Sequence, residues 1–347
     1  MEQRTRAAVA ALGIAVIFLL VQLGALALVG PFEQAGLQAT ENPQSATNSV
    51  VYVGALLVMT GFMLLAFRYD LDVVIRGLVV FVGGYIGFIV LASIVPATIV
   101  PVAGASAIAW ATAGAIVLGL VVHPEWYVID AAGTLMGAGA AGLFGISFGV
   151  LPALVLLATL AVYDAISVYG TEHMLTLAEG VMDLRVPVVL VVPLSLSYSF
   201  LDADTPDSVT EAESESGDGA DLDRADGDDR SEQGADTETD DEEPLDRDAL
   251  FIGLGDAVIP TVLVASAAAF APASVPTVAA GGLAVPVTAI GAMVGTFLGL
   301  ATLLRMVLRG RAHAGLPLLN GGAIAGYLLA ALASGLSIAG AVGLAGV

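Results

Sequence analysis

The chain has no cysteine and no lysine, and of its 347 residues only 13 % are charged and 6 % aromatic. Without cysteine there is no disulfide, no thiol nucleophile and no cysteine-ligated metal. The three histidines, His123, His173 and His313, stand outside any HExxH arrangement, which argues against a zinc protease of that kind. What is abundant is apolar surface: 57 % of the residues are hydrophobic, in runs that repeatedly reach the ~20 residues needed to cross a bilayer. An ordinary soluble domain is excluded, and an all-α polytopic membrane protein is expected, with the lipid bilayer as its surroundings and no nucleic acid among its partners.

The formal charge of −22 is concentrated in one place. Residues 202–248 hold 21 of the 33 acidic residues against three arginines, Arg224, Arg230 and Arg247, so the remainder is nearly balanced. Dense carboxylates and absent lysine suit a salt-rich cytoplasm, because such surfaces stay hydrated and self-repelling at high ionic strength, and the composition predicts a halophilic source.

Nine apolar segments of spanning length can be marked, at residues 7–29, 50–67, 73–95, 102–122, 128–148, 149–168, 250–271, 282–304 and 317–339. The first follows Arg4 and Arg6 and is longer than a typical signal-peptide core, so it is read as a retained span. Residues 126–169 are too many for one crossing, and Leu151-Pro152 predicts the break between spans five and six. All eleven arginines fall in connections on one side, which places the N-terminus in the cytoplasm and the C-terminus outside the cell membrane.

The chain thus divides into residues 1–170 with spans one to six, 171–200 as a cytoplasmic connection, 201–248 as an acidic linker, and 249–347 with spans seven to nine. Within the connection, 186–194 is rich in valine and flanked by proline, which favours an extended segment at the cytoplasmic boundary over a short interfacial helix. The linker, rich in Asp, Glu, Ser and Gly, is expected to be disordered. Glycines recur every four residues in Gly133-Gly137, Gly145-Gly149, Gly291-Gly295-Gly299 and Gly322-Gly326, a spacing that serves close helix packing in a monomer or, less readily, a dimer face.

Against this background two aspartates stand out, Asp164 in span six and Asp256 in span seven. A carboxyl group inside the bilayer costs a few kcal/mol, so it faces a partner, a cavity or a reaction. Span six descends to Asp164 about four residues before its cytoplasmic end and span seven rises to Asp256 about six residues after its start, roughly 6 and 9 Å at the helical rise. The two carboxyls therefore share a depth. Two acids so placed can share a proton, one acting as base on a water and the other as acid toward a peptide carbonyl, and they titrate as a unit. Gly253 and Gly255 remove side chains beside Asp256, and Tyr163 adds a phenol beside Asp164.

Tyr163-Asp164 and Gly253-Leu254-Gly255-Asp256 match the YD and GxGD motifs, and the chain resembles the presenilin and signal peptide peptidase family of intramembrane aspartyl proteases, most closely its archaeal presenilin-like branch. The resemblance spans nearly the whole chain, including nine spans and a long connection before the second motif. It implies a presenilin-like bundle in which Asp164 and Asp256 are the catalytic dyad and Leu254 belongs to the site. It also implies hydrolysis of transmembrane peptide or protein substrates without metal or cofactor. The family's Pro-Ala-Leu signature is imperfect: Ala314-Gly315-Leu316-Pro317 can be laid on Pro-Ala-Leu-Pro, or Leu316-Pro317-Leu318 on Pro-Ala-Leu with its proline moved. The first is preferred, and Gly315 and Pro317 then suggest a rigid, non-helical loop that shapes the active site.

The rival from another class is a proton-coupled transporter using the two aspartates as a relay. No inverted repeat places a second acid pair in matching halves, which favours proteolysis. Asp130 reads as a first-turn acid complementing a helix dipole. Residues 145–149 match GxSxG, yet they fall on the side opposite to every histidine, so a serine mechanism lacks its base. Accessory subunits are not specified by the sequence, and an extended substrate is expected to pair with 186–194 by strand addition.

Overall fold

The structure is a computed structural model, and it describes residues 2–69, 71–170, 188–194, 198–199, 249–280, 282–308 and 314–344. In chain order the elements are α1 (Glu2–Gln34), α2 (Thr47–Arg68), α3 (Asp72–Ile94), the strand pair β1 (Pro101–Val102) and β2 (Ala105–Ser106), α4 (Ala107–Val122), α5 (Trp126–Ser147) and α6 (Val150–Gly170). There follow β3 (Val189–Pro193), β4 (Ala249–Gly253), α7 (Leu254–Ala269), β5 (Thr277–Ala280), β6 (Leu283–Pro286), α8 (Val287–Val307), α9 (Gly315–Ala333) and the short α10 (Ile338–Ala341). Among the described residues, seven helices are long and apolar enough to cross a membrane, and two further apolar helices, Ala107–Val122 and Leu254–Ala269, are shorter. Each of the nine apolar segments carries one of these helices. The acidic linker of residues 201–248 lies outside the described residues.

α5 and α7 form the centre. Of the spanning helices α5 is the most enclosed, and α7 buries an unbroken run from Pro260 to Ala267. Around them pack α1 against α5 and α7, α6 against α7 and α9, and α8 against α7 and α9. α2 lies at the periphery beside α6, its Val50, Val58, Phe62 and Leu65 exposed, as lipid-facing residues of a membrane helix are.

The closest helix pair is α8 with α9, and glycine explains it. A Cβ on Gly295 would collide with the Gly322 carbonyl, one on Gly326 with the Gly291 carbonyl, and one on Gly299 with the Leu318 carbonyl. Backbone therefore meets backbone over more than two turns, an approach only small residues permit. The four-residue glycine spacing of these two segments is spent inside the chain.

Three expected spans begin with strand rather than helix. Residues 102–106 belong to the β1–β2 hairpin, 249–253 to β4, and 283–286 to β6. Two of these hairpins need left-handed backbone at their turns, supplied at Gly104 (φ 85°) and Gly282 (φ 86°), and this local turn chemistry overrides the hydropathy that runs on through both strands. Likewise the break between α5 and α6 falls at Phe148-Gly149, with Pro152 inside the first turn of α6, where its missing N–H leaves no intrahelical bond unmade.

Candidate active site

Asp256 is the third residue of α7, not one and a half turns into a span, because β4 takes up Ala249–Gly253 and the helix starts at Leu254. β4 pairs antiparallel with β3 in the register Val189↔Gly253 to Pro193↔Ala249. The ladder runs on into the helix, for the Leu254 N–H donates to the Val188 carbonyl at 2.7 Å. The Gly253 N–H in turn is hydrogen-bonded to the Asp256 carboxyl group, the reach-back of a third-position acid to the residue capping its helix. The GxGD sequence is thus a strand-to-helix corner, and its acid is held by that corner's own backbone.

Asp164 lies near the end of α6 and is 7 % exposed. Its Oδ2 accepts a hydrogen bond from the Leu316 N–H at 3.1 Å. Leu316 is the second residue of α9, and its N–H is one of the four at a helix start that have no partner within the helix, so a carboxylate there is favoured by hydrogen bond and helix dipole together. The adjacent Gly315 faces the other acid: a Cβ on it would stand 3.5 Å from both Oδ1 and Oδ2 of Asp256. Two consecutive residues of α9 therefore border the two carboxyl groups, Leu316 by a hydrogen bond and Gly315 by the room its missing side chain leaves, and the two acids are close enough to act on each other electrostatically.

This corrects the expectation of a non-helical loop. Gly315, Leu316 and Pro317 form the first turn of α9, with Ala314 as its N-cap. Proline is accepted at the third helical position because the N–H it lacks would have had no intrahelical acceptor there. At Gly315 the nearest atoms to an added Cβ, Leu303 Cδ2 and the Asp256 carboxyl oxygens, lie at 3.4–3.5 Å, ordinary contact distance.

The remaining residues of the sequence-derived site divide. The Leu254 side chain packs toward Gly137 of α5, a Cβ on which would lie 3.1 Å from Leu254 Cδ1, so Leu254 docks α7 on α5. Gly255 is exposed, and among the described residues a Cβ there would meet only Ile259 Cδ1 at 3.9 Å. Tyr163 and Pro317 are half-buried, and Leu318 contributes its carbonyl to the glycine contact with α8. The Leu316 side chain packs against an apolar cluster that includes Leu156 and Leu160 of α6. Asn320, one turn along from Leu316, is fully buried and donates from Nδ2 to the Leu157 carbonyl at 3.0 Å, binding α9 to α6 below the two acids.

Asp130 is not the first-turn acid that the sequence suggests. It is the fifth residue of α5, beyond the first turn, and its Oδ1 accepts from the Val191 N–H at 2.8 Å. On the edge of β3 opposite β4, the Val191 N–H is engaged by Asp130. Ser147 of the GxSxG-like stretch donates to the Leu143 carbonyl and accepts from the Ala39 N–H, closing the end of α5. His123 is exposed and hydrogen-bonded to Tyr127, and His173 and His313 lie outside the described residues. Among the described residues no group of three or more histidine, aspartate or glutamate side chains is placed to hold a metal ion.

A family profile described as signal-peptide peptidase, presenilin aspartyl protease matches residues 15–336. The chain belongs to this family. Among solved structures it is similar to a presenilin family intramembrane aspartate protease in a C222 crystal form, with 32 % identity, a TM-score of 0.60, and 93 % of this chain and 99 % of that one covered. A P2 form of a presenilin family intramembrane aspartate protease gives 33 % identity, a TM-score of 0.58, and coverage of 93 % and 97 %. No curated protein gives a match. Membership makes the chain an integral membrane protein of a protease family and disfavours the transporter reading.

Proposed function

We propose that this presenilin-family protein is an intramembrane aspartic endopeptidase in which Asp164 and Asp256 form the catalytic dyad. The observation that carries the proposal is the meeting of the two acids at Gly315-Leu316, two buried or half-buried carboxyl groups from different helices at one helix start. One carboxylate takes a proton from water as the water oxygen bonds to the scissile carbonyl carbon. The other carboxyl donates its proton to the carbonyl oxygen, giving a tetrahedral diol. Donation of that proton to the amide nitrogen, while the other carboxylate takes a proton from one diol hydroxyl, breaks the C–N bond and releases amine and carboxylic acid, and the dyad again holds one proton.

The substrates are transmembrane helices, whose peptide bonds must first unwind because a helical carbonyl is engaged with the N–H four residues on. The space beside Gly255 and the half-buried Tyr163 and Pro317 supply the walls against which an unwound segment would lie. The segregation of arginines supports a cytoplasmic N-terminus, an outside C-terminus and a dyad near the cytoplasmic face of the cell membrane.

The test is cleavage of a reporter transmembrane peptide by purified wild type, Asp164→Ala and Asp256→Ala. Either substitution abolishes turnover while the protein still folds and inserts; residual turnover of about half or more in either variant is incompatible with a dyad acting as a unit.

A further inference from the structure

The hairpin that carries Asp256 is anchored to the helical bundle by a side chain remote in sequence. β3 and β4 are joined residue for residue, and Gly253, the last residue of β4, caps the helix whose third residue is Asp256. The position of Asp256 along and across the bundle is therefore inherited from the position of the hairpin. Apolar packing holds both faces of β3: Leu190 and Val192 join the cluster that includes Ile14 and Phe18 of α1, with Val192 next to Gly13, and Val191 joins the cluster that includes Ile129 and Ala132 of α5. Such contacts are non-directional, so they set the fine position of the strand less sharply than a hydrogen bond does.

A hydrogen bond to the strand edge is directional. With Leu254 bonded to Val188, the alternation of an antiparallel ladder turns residues 190 and 192 toward β4 and residue 191 the other way. The outward N–H of Val191 is met by Asp130 Oδ1 at 2.8 Å, from a side chain only 9 % exposed on the most enclosed spanning helix of the bundle. Without it a strand-edge donor would be buried unpaired where water is scarce.

We propose that Asp130 is a positioning residue for proteolysis: its carboxylate fixes the register of the β3–β4 hairpin against α5 and thereby places Asp256 opposite Asp164. This inference rests on the dyad reading. Asp130 acts as a hydrogen-bond acceptor, so its role survives loss of charge but not loss of the oxygen. Displacing a catalytic carboxyl by about 1 Å costs on the order of 100-fold in rate while leaving substrate docking largely alone, so the effect falls on kcat rather than KM.

The experiment compares Asp130→Asn, Asp130→Leu and Val191→Pro in the full-length purified protein, with cleavage of a reporter transmembrane peptide and thermal unfolding both measured. Proline at 191 removes the donor from the other side, at a position whose N–H takes no part in the β4 ladder. Asp130→Leu is expected to lower kcat about tenfold or more with KM within about threefold. Asp130→Asn should keep kcat within about threefold of wild type, and Val191→Pro combined with Asp130→Leu should be no worse than either alone.

Unchanged kcat in Asp130→Leu, a loss of thermal stability with no loss of kcat, or equal losses for Asn and Leu would each overturn the proposal. Should Asp130→Leu fail to fold, Val191→Pro decides it: kcat lowered as above, or unchanged and the proposal wrong. Asp164→Ala and Asp256→Ala run alongside separate the two readings, because their retaining turnover would refute the dyad whatever Asp130 does.

Discussion

A single N–H and a missing methyl group define how α9 meets the two acids. Leu316 contributes backbone, not side chain, to Asp164, and Gly315 leaves room for the Asp256 carboxyl group. The Gly315 position admits one carbon at ordinary contact distance but not a branched side chain, whose extra methyls would be driven into the carboxyl oxygens or Leu303. Gly315→Val should therefore lower turnover about tenfold or more below Gly315→Ala, a difference read from cleavage rates of the two purified variants; equal rates would mean that Gly315 does not border the reacting acid. The motif acids could be read from sequence because a carboxyl group in an apolar run has few structural uses. Asp130 could not be assigned in the same way. Its partner is a strand N–H 61 residues away, and the helix starts at Trp126, two residues before the apolar run that makes Asp130 look like a first-turn acid.

At the level of elements, hydropathy located every long helix but not where helices give way to strands. Leu250 to Gly253 is as apolar as the helix that follows, and what makes it strand is pairing with Val189–Pro193, a segment on the far side of the acidic linker. Pairing between distant segments leaves no local trace. The start of α9 shows the converse: Gly315 and Pro317 suggest irregular backbone, yet both are at home in a helix's first turn. That turn is set in place by the glycine contact with α8. Gly295→Ala would press a methyl onto the Gly322 carbonyl and force the two helices apart. A cost of about 1–3 kcal/mol is expected for such overpacking, seen as a lowered unfolding temperature together with reduced cleavage. An unfolding temperature equal to that of wild type would show that α8 and α9 do not depend on this contact.

The molecule as a whole brings together distant parts of the chain: Asp164 from the end of α6, Asp256 from the start of α7, and Gly315-Leu316 from the start of α9. The three helix ends are gathered by the central α5–α7 pair, by the hairpin tied to Asp130, and by Asn320 linking α9 to α6. Family membership accounts for the shared scaffold. The central claim is that both carboxyl groups address the same reacting carbon, and a hydroxyl-bearing analogue of the tetrahedral diol tests it without requiring turnover. Titrated against wild type, Asp164→Asn and Asp256→Asn, the analogue should bind one per chain, with affinity reduced about 100-fold or more in each variant while the fold is intact. Affinity unchanged in either variant would contradict a site made by the two aspartates together.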